Sequence, residues 1–186
     1  MGFAAVILAG GASRRMGTDK ALLHFRGESF LDRLIRILGG HCAPVVVVLG
    51  YHADSILRGA TREALFVINP EPERGMLSSL QTGLGLVTGG FLFTPVDAPS
   101  IAESTVARLV GAPSEFALAI PRFGGLRGHP VRVGAGLRNE FLALPATGSP
   151  KDVILAHESE IHYIDVDDPG ILRDVDDPVS YQALNP

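Results

Sequence analysis

The chain has 186 residues, 46% of them apolar and 19% charged, with a net charge of −4. That length predicts one domain spanning residues 1–186 with a core of useful size, and that composition excludes a disordered chain. The slight acidic balance argues against a nucleic-acid partner, which calls for a basic surplus, and no apolar run is long enough to span a bilayer, so no membrane partner is expected. Cys42 is the single cysteine, so no disulfide forms within the chain and a reducing, cytoplasmic setting is expected.

In chain order, Phe3–Leu8 (FAAVIL) reads as a buried strand. Phe30, Leu31, Leu34, Ile35 and Leu38 then fall on one helical face. Ser29 and Asp32 form a capping-box pattern ahead of that helix, and Gly39-Gly40 ends it. Pro44–Leu49 and Leu65–Ile68 are the next strands, and Met76–Leu86 is a second helix with Leu77, Leu80 and Leu84 aligned. Gly90–Thr94 is a fourth strand, followed by a helix capped by Ser100 and Glu103. Phe116–Pro121 and Val131–Val133 flank a Gly-rich connection. Ser149, Pro150 and Asp152 open another helix, Ile161–Val166 is the last strand, and Asp177-Pro178 opens a terminal helix. The alternation predicts an α/β fold of three layers, α/β/α, with a mostly parallel sheet. Such sheets bind ligands outside the carboxyl ends of their strands, which points to the loops after Leu8, Val48 and Thr94.

The first of these loops carries the densest chemistry. It reads Leu8-Ala9-Gly10-Gly11-Ala12-Ser13-Arg14-Arg15-Met16-Gly17-Thr18-Asp19-Lys20. Adjacent glycines bring backbone N–H groups close to a ligand, and two arginines and a lysine supply the charge that a triphosphate requires. The loop is neither a Walker loop, lacking GK[ST], nor the dinucleotide fingerprint, lacking the third glycine. A flexible surface turn is the competing reading. Leu8, Ala9, Gly10, Gly11, Ser13, Arg14, Arg15 and Lys20 are therefore the expected nucleotide-binding residues. Ser78 and Ser79, in the helix opening Gly75–Ser79, are added because that opening offers free N–H groups and two hydroxyls.

Asp97, in Thr94-Pro95-Val96-Asp97-Ala98-Pro99, stands just past a strand, where a carboxylate suits Mg²⁺ bridging phosphate oxygens. Asp174 and Asp176 share a face of an extended segment, and Asp177 before Pro178 reads as a helix cap. Asp176 is the candidate second metal ligand, against the alternative that this acidic cluster only caps and solvates. Residues 14–36 hold six Lys/Arg against three acids, whereas residues 158–177 hold eight acids against one Arg. His129, between Gly128 and Pro130, is either a turn residue or a contact for a phosphorylated acceptor. The other histidines lack metal-ligand spacing, and Cys42 reads as a small core residue.

Five segments in order carry a family resemblance. LAGGASRRMGTDK at 8–20 resembles the signature loop of the nucleotidyltransferases that mature the molybdenum cofactor, and the likeness extends over nearly the whole chain. Gly75–Leu80 resembles that family's GLLTS-type segment, and Pro95–Pro99 its metal-binding Asp before Pro. Gly128-His129-Pro130-Val131 and Asp174–Pro178 resemble the GHPV and the closing DIDTP of the cytidylyl-transferring branch, while Gly10-Gly11 is nearer the guanylyl branch. At the close, Asp177 stands where the family has Thr, and Val179-Ser180 replaces an acidic pair.

The resemblance implies a Rossmann-like nucleotidyltransferase domain that moves a nucleoside monophosphate, CMP favoured, from a nucleoside triphosphate to the phosphate of a molybdopterin-type acceptor. It implies Mg²⁺ as cofactor and a molybdoenzyme as the recipient of the product. Carried over, Arg15 and Lys20 would neutralise the triphosphate, and Asp97 and Asp176 would hold the metal. Guanylyl transfer, transfer to another phosphorylated acceptor, and a non-catalytic cofactor carrier are the competing readings.

Overall fold

The strands of the protein were traced in a computed structural model, which describes residues 2–184. They are β1 (Ala4–Ala9), β2 (His24–Phe25), β3 (Glu28–Ser29), β4 (Val45–Leu49), β5 (Leu65–Ile68), β6 (Phe91–Pro95), β7 (Leu118–Phe123), β8 (Leu126–Arg127), β9 (Val131–Val133) and β10 (Ile161–Asp165). The helices are α1 (Phe30–Gly39), α2 (Ala53–Gly59), α3 (Met76–Leu84), α4 (Glu103–Val110), α5 (Arg138–Ala143), α6 (Pro150–Ala156) and α7 (Pro178–Leu184). Strands β2 and β3 form a small hairpin; the others make one sheet in the order β10-β7-β9-β6-β1-β4-β5, with β8 on β7. Pairing is parallel except around β8 and β9.

Strand β1 lies at the centre and every one of its residues is buried, the mark of a strand covered on both faces. Its side chains alternate between two cores. Ala5, Ile7 and Ala9 join α1, α4 and Ile56 of α2, while Ala4, Val6 and Leu8 join α3, Phe141 of α5 and Val153 of α6. The three-layer α/β arrangement expected from the alternating pattern is therefore present. Among the described residues no helix is long and apolar enough to cross a membrane. Cys42 is buried, and burial pushes its thiol up to about 11, as befits a core residue.

The differences from the expected elements have local causes. Helices α2 and α5 escape notice because each buries one side chain, Ile56 and Phe141, and so shows no apolar periodicity. Strand β7 runs through Pro121 rather than stopping there. Its partner strand is interrupted between β8 and β9, so Pro121 lies outside the paired positions on that side and its missing N–H costs no ladder bond. Ser29 caps α1 by accepting from Asp32 N–H at 3.0 Å, yet Asp32 does not return the bond. Its carboxylate turns to the Thr61 and Arg62 N–H groups and the Thr61 hydroxyl. Desolvation would raise its titration, and these hydrogen bonds outweigh it and hold the group below the ordinary Asp range. At Ser149 the full capping box forms, with Asp152 accepting from Ser149 N–H at 2.7 Å.

Helix α4 is not capped by Ser100, as the sequence pattern suggested. Its cap arrives from a distant loop: buried Asp168 accepts from Ala102 N–H at 2.8 Å and from the Thr105 hydroxyl at 2.7 Å. The other Asp168 oxygen accepts from Gly170 N–H at 2.9 Å. One carboxylate thus closes a helix start and a turn together. Asp168→Ala is expected to cost about 3 kcal/mol, because it orphans buried donors that were bonded to a charge. Urea unfolding measures this; a loss below about 1 kcal/mol would show that the donors find other partners.

Candidate nucleotide-binding site

Parallel pairing sets the site. Ala9 stands opposite Leu49, and Leu8 opposite Pro95, so β1, β4 and β6 end at one edge of the sheet. The Gly10–Lys20 loop, the turn Gly50–His52 and Asp97 all emerge there. Gly10 and Gly50 pack back to back: a Cβ on Gly50 would run into the Gly10 backbone, and one on Gly10 would stand 2.9 Å from the Ser79 hydroxyl. Gly10 is thus required for packing, while Gly11 faces open space.

A pocket of about 190 Å³ opens at this edge. Leu8, Ala9, Gly11, Ser13, Arg14, Arg15, Lys20, Asp97 and Asp176, nine of the residues singled out from the sequence, line it. Lys20 is its centre. Only 13% of its side chain is exposed, and its Nζ donates to Asp176 Oδ1 at 2.6 Å and to Asp97 Oδ2 at 3.1 Å. Arg15 pairs with the other Asp176 oxygen at 2.9 Å. The Lys20 hydrogen bond holds the Asp176 carboxyl below the ordinary range against the opposing effect of desolvation, and Arg15 adds to the shift. Ser13, at φ +49°, takes a left-handed conformation that curls the loop. Its carbonyl accepts from the Met16 and Gly17 N–H groups, and its hydroxyl accepts from Lys20 N–H at 3.3 Å.

Val175 explains the acidic segment. It is buried, and its N–H donates to the Asp97 carbonyl at 2.8 Å, so Asp174 and Asp176 emerge beside Asp97. Asp176 faces the pocket, whereas Asp174 faces a second cleft. Desolvation raises the Asp174 titration, and its neighbours Asp97 and Asp176 raise it further. Asp177 caps α7, its Oδ1 accepting from Ser180 N–H at 2.8 Å.

The second cleft, of about 700 Å³, has Met76, Phe93, Ile120, Ile154 and Ile171 among its walls and Arg127, Lys151 and Asp174 among its polar groups. Gly128 and His129 line it too. Gly128 presses on the turn Pro169–Leu172, where any Cβ would run into the Ile171 carbonyl, and His129 N–H donates to that carbonyl at 3.2 Å. The His129 ring meets Phe93 edge-on at 6.3 Å, and its Nδ1 is buried with no hydrogen-bond partner among the described residues. Burial lowers its titration, so the ring is neutral at neutral pH despite the Asp97 charge.

Ser78 and Ser79 do not line the pocket. Both are buried, and Asn69 donates to their hydroxyls at 2.8 and 3.1 Å. Ser78 in turn donates to the Glu71 carbonyl at 3.0 Å, so the pair faces the turn below Gly10 rather than the pocket. The sequence reading missed His52, which lines the pocket, bonds the Ala12 carbonyl and stands against the Asp19 carboxylate. A lone His after a strand carries no motif, and its position four residues past Val48, in a loop already singled out, was the only signal.

Oxygen donors of Asp97 and Asp176 converge on one cationic point, now held by the Lys20 ammonium, which is the donor chemistry of a hard divalent ion. Among the described residues no three His, Cys, Asp or Glu side chains form a metal cage. Mg²⁺ commonly takes one or two carboxylates and fills its remaining positions with phosphate oxygens and water, so the pair fits it.

Comparison with known proteins adds the family. The molybdenum cofactor cytidylyltransferase of Escherichia coli K12 is 25% identical over 177 residues, covering 93% of this chain and 90% of that one. The molybdenum cofactor guanylyltransferase of Sinorhizobium fredii is 35% identical over 112 residues, 58% of this chain and about half of that protein, 51%. In structure, a nucleotidyl transferase of Methanothermobacter thermautotrophicus superposes with a TM-score of 0.86 at 20% identity, covering 98% of this chain and 95% of that one. Rv0371c of Mycobacterium tuberculosis gives 0.82 at 24% identity, covering 99% and 97%. These two likenesses establish the Rossmann-like fold. Residues 5–161, which hold the Gly-rich loop and Asp97, match the MobA-like NTP transferase domain, and the chain belongs to that family.

Proposed function

We propose that this protein transfers a nucleoside monophosphate, CMP in the first instance, from a nucleoside triphosphate to the phosphate of a molybdopterin-type acceptor and releases pyrophosphate. The observation that carries the reading is Lys20 Nζ, held between Asp97 and Asp176 in the pocket that the Gly-rich loop lines. The similarity to both cytidylyl- and guanylyltransferases supports the reaction and leaves the base to experiment.

An oxygen of the acceptor's phosphate monoester attacks the α-phosphorus. A new P–O bond forms, the bond from the α-phosphorus to the oxygen leading to the β-phosphate breaks, and pyrophosphate leaves with the electron pair. A phosphate monoester loses its second proton near pH 6, so the nucleophile is charged at neutral pH without a general base. The neutral, buried His129 suits this scheme as a contact for the acceptor rather than a proton carrier. Its apolar cleft suits a flat ring system, and Arg127 and Lys151 supply charge for a phosphate. Asp174 lines this cleft while Asp97 and Asp176 line the phosphate pocket, so the two substrates would meet across this segment.

Asp97 and Asp176 would hold Mg²⁺, which when bound supplies a further positive centre for the phosphate oxygens. Lys20 neutralises the crowded equatorial oxygens, and Arg15 draws the leaving end of the triphosphate. A thermal-shift series with CTP, GTP, ATP and UTP, each with and without Mg²⁺, tests the reading. A nucleotide at 100 times its Kd adds about 2.7 kcal/mol to apparent stability. The expected result is a Mg²⁺-dependent response to CTP, followed by pyrophosphate release once molybdopterin is added. A response confined to GTP assigns guanylyl transfer, which the Gly10-Gly11 pair and the guanylyltransferase relative favour. Binding of the finished dinucleotide without Mg²⁺, and no pyrophosphate, identifies a carrier.

A further inference from the structure

His52 sits at the end of the turn after β4 and lines the phosphate pocket. Its Nδ1 lies 2.8 Å from Asp19 Oδ1, and its Nε2 lies 3.1 Å from the Ala12 carbonyl. The second Asp19 oxygen accepts from the Ser55 hydroxyl of α2. The Ala12 carbonyl is an acceptor only, so Nε2 donates to it, while Nδ1 stands against the Asp19 carboxylate. About a third of the side chain, 36%, stays exposed where it lines the pocket.

The two groups it joins have matching places. Ala12 begins the curled part of the loop, and Asp19 precedes the Lys20–Leu22 turn that launches Lys20. His52 therefore ties the entry and the exit of the loop to the rigid end of a central strand. We propose that His52 is a positioning residue for the triphosphate: clamped between Ala12 and Asp19, it fixes the span of the Gly-rich loop. This rests on the nucleotide-binding reading given above, which it deepens.

A brace of this kind acts on the bound nucleotide in ground and transition states alike, so its loss raises KM and spares kcat. The test measures CTP and GTP binding in the presence of Mg²⁺ by calorimetry, without acceptor, for wild type, His52→Gln, Asp19→Asn and Lys20→Ala. His52→Gln keeps one donor but cannot span both partners as the ring does. It is expected to weaken binding of the preferred nucleotide about tenfold, the effect of losing one hydrogen-bonded contact of the brace. Its kcat at saturating nucleotide is expected to stay within about twofold of wild type. Asp19→Asn, which leaves the imidazole in place, should weaken binding in the same direction and serves if the first variant does not fold. Wild-type affinity in His52→Gln, or a fall in kcat with KM unchanged, would overturn the proposal. If Lys20→Ala loses the nucleotide while His52→Gln keeps it, only the role of His52 falls. If wild type binds neither nucleotide, the nucleotide reading itself falls.

Discussion

Lys20→Ala is expected to slow pyrophosphate release by about 10²–10³-fold, the range seen when one preorganised donor to a developing oxyanion is removed. The ammonium is nearly enclosed and lies 2.6 Å from Asp176 and 3.1 Å from Asp97. Alanine removes the cation that faces the phosphate oxygens and leaves two carboxylates facing one another with Arg15 as the remaining counter-ion. The fold should survive, because Lys20 stands at the carboxyl edge of the sheet and belongs to neither apolar core, and circular dichroism with urea unfolding checks that. A folded variant that keeps its rate within tenfold would remove Lys20 from the chemistry.

Asp97→Asn is expected to reduce turnover by a similar 10²–10³-fold while leaving shape and stability almost unchanged. The Asp97 backbone carbonyl, not its side chain, accepts from Val175 N–H, so the ridge that carries Asp174 and Asp176 stays in register. Lys20 keeps Asp176 as its partner. What disappears is one negative oxygen of the pair that would hold Mg²⁺, so the Mg²⁺ concentration for half-maximal rate should rise together with the fall in turnover. Pyrophosphate release at the wild-type rate from Asp97→Asn would show that the metal role is misassigned.

Much of this site was legible because its chemistry is local in the chain. Leu8 to Lys20 is one continuous stretch, so a buried strand ending in paired glycines and cations stands out by composition, and the structure makes it the lining of a pocket. Asp97 was legible for a related reason, since a lone carboxylate just past an apolar strand has few structural duties. Asp168 and His52 were not legible. Asp168 caps a helix 66 residues earlier, and His52 joins residues 33 and 40 positions before it, so no window of sequence contains donor and acceptor together. Ser78 and Ser79 misled for the opposite reason: hydroxyls at a helix start resemble a ligand site whether they face a ligand or, as here, Asn69.

The buried Val175 has a consequence for the order in which the protein matures. The segment that presents Asp176 hangs on a hydrogen bond to the Asp97 backbone, and it lies beyond residue 161, where the match to the family domain stops. During synthesis the strands bearing the glycine cradle leave the ribosome well before this stretch. A half-made polypeptide therefore has the glycine loop but not Asp176, and the pocket is complete only once the final stretch docks.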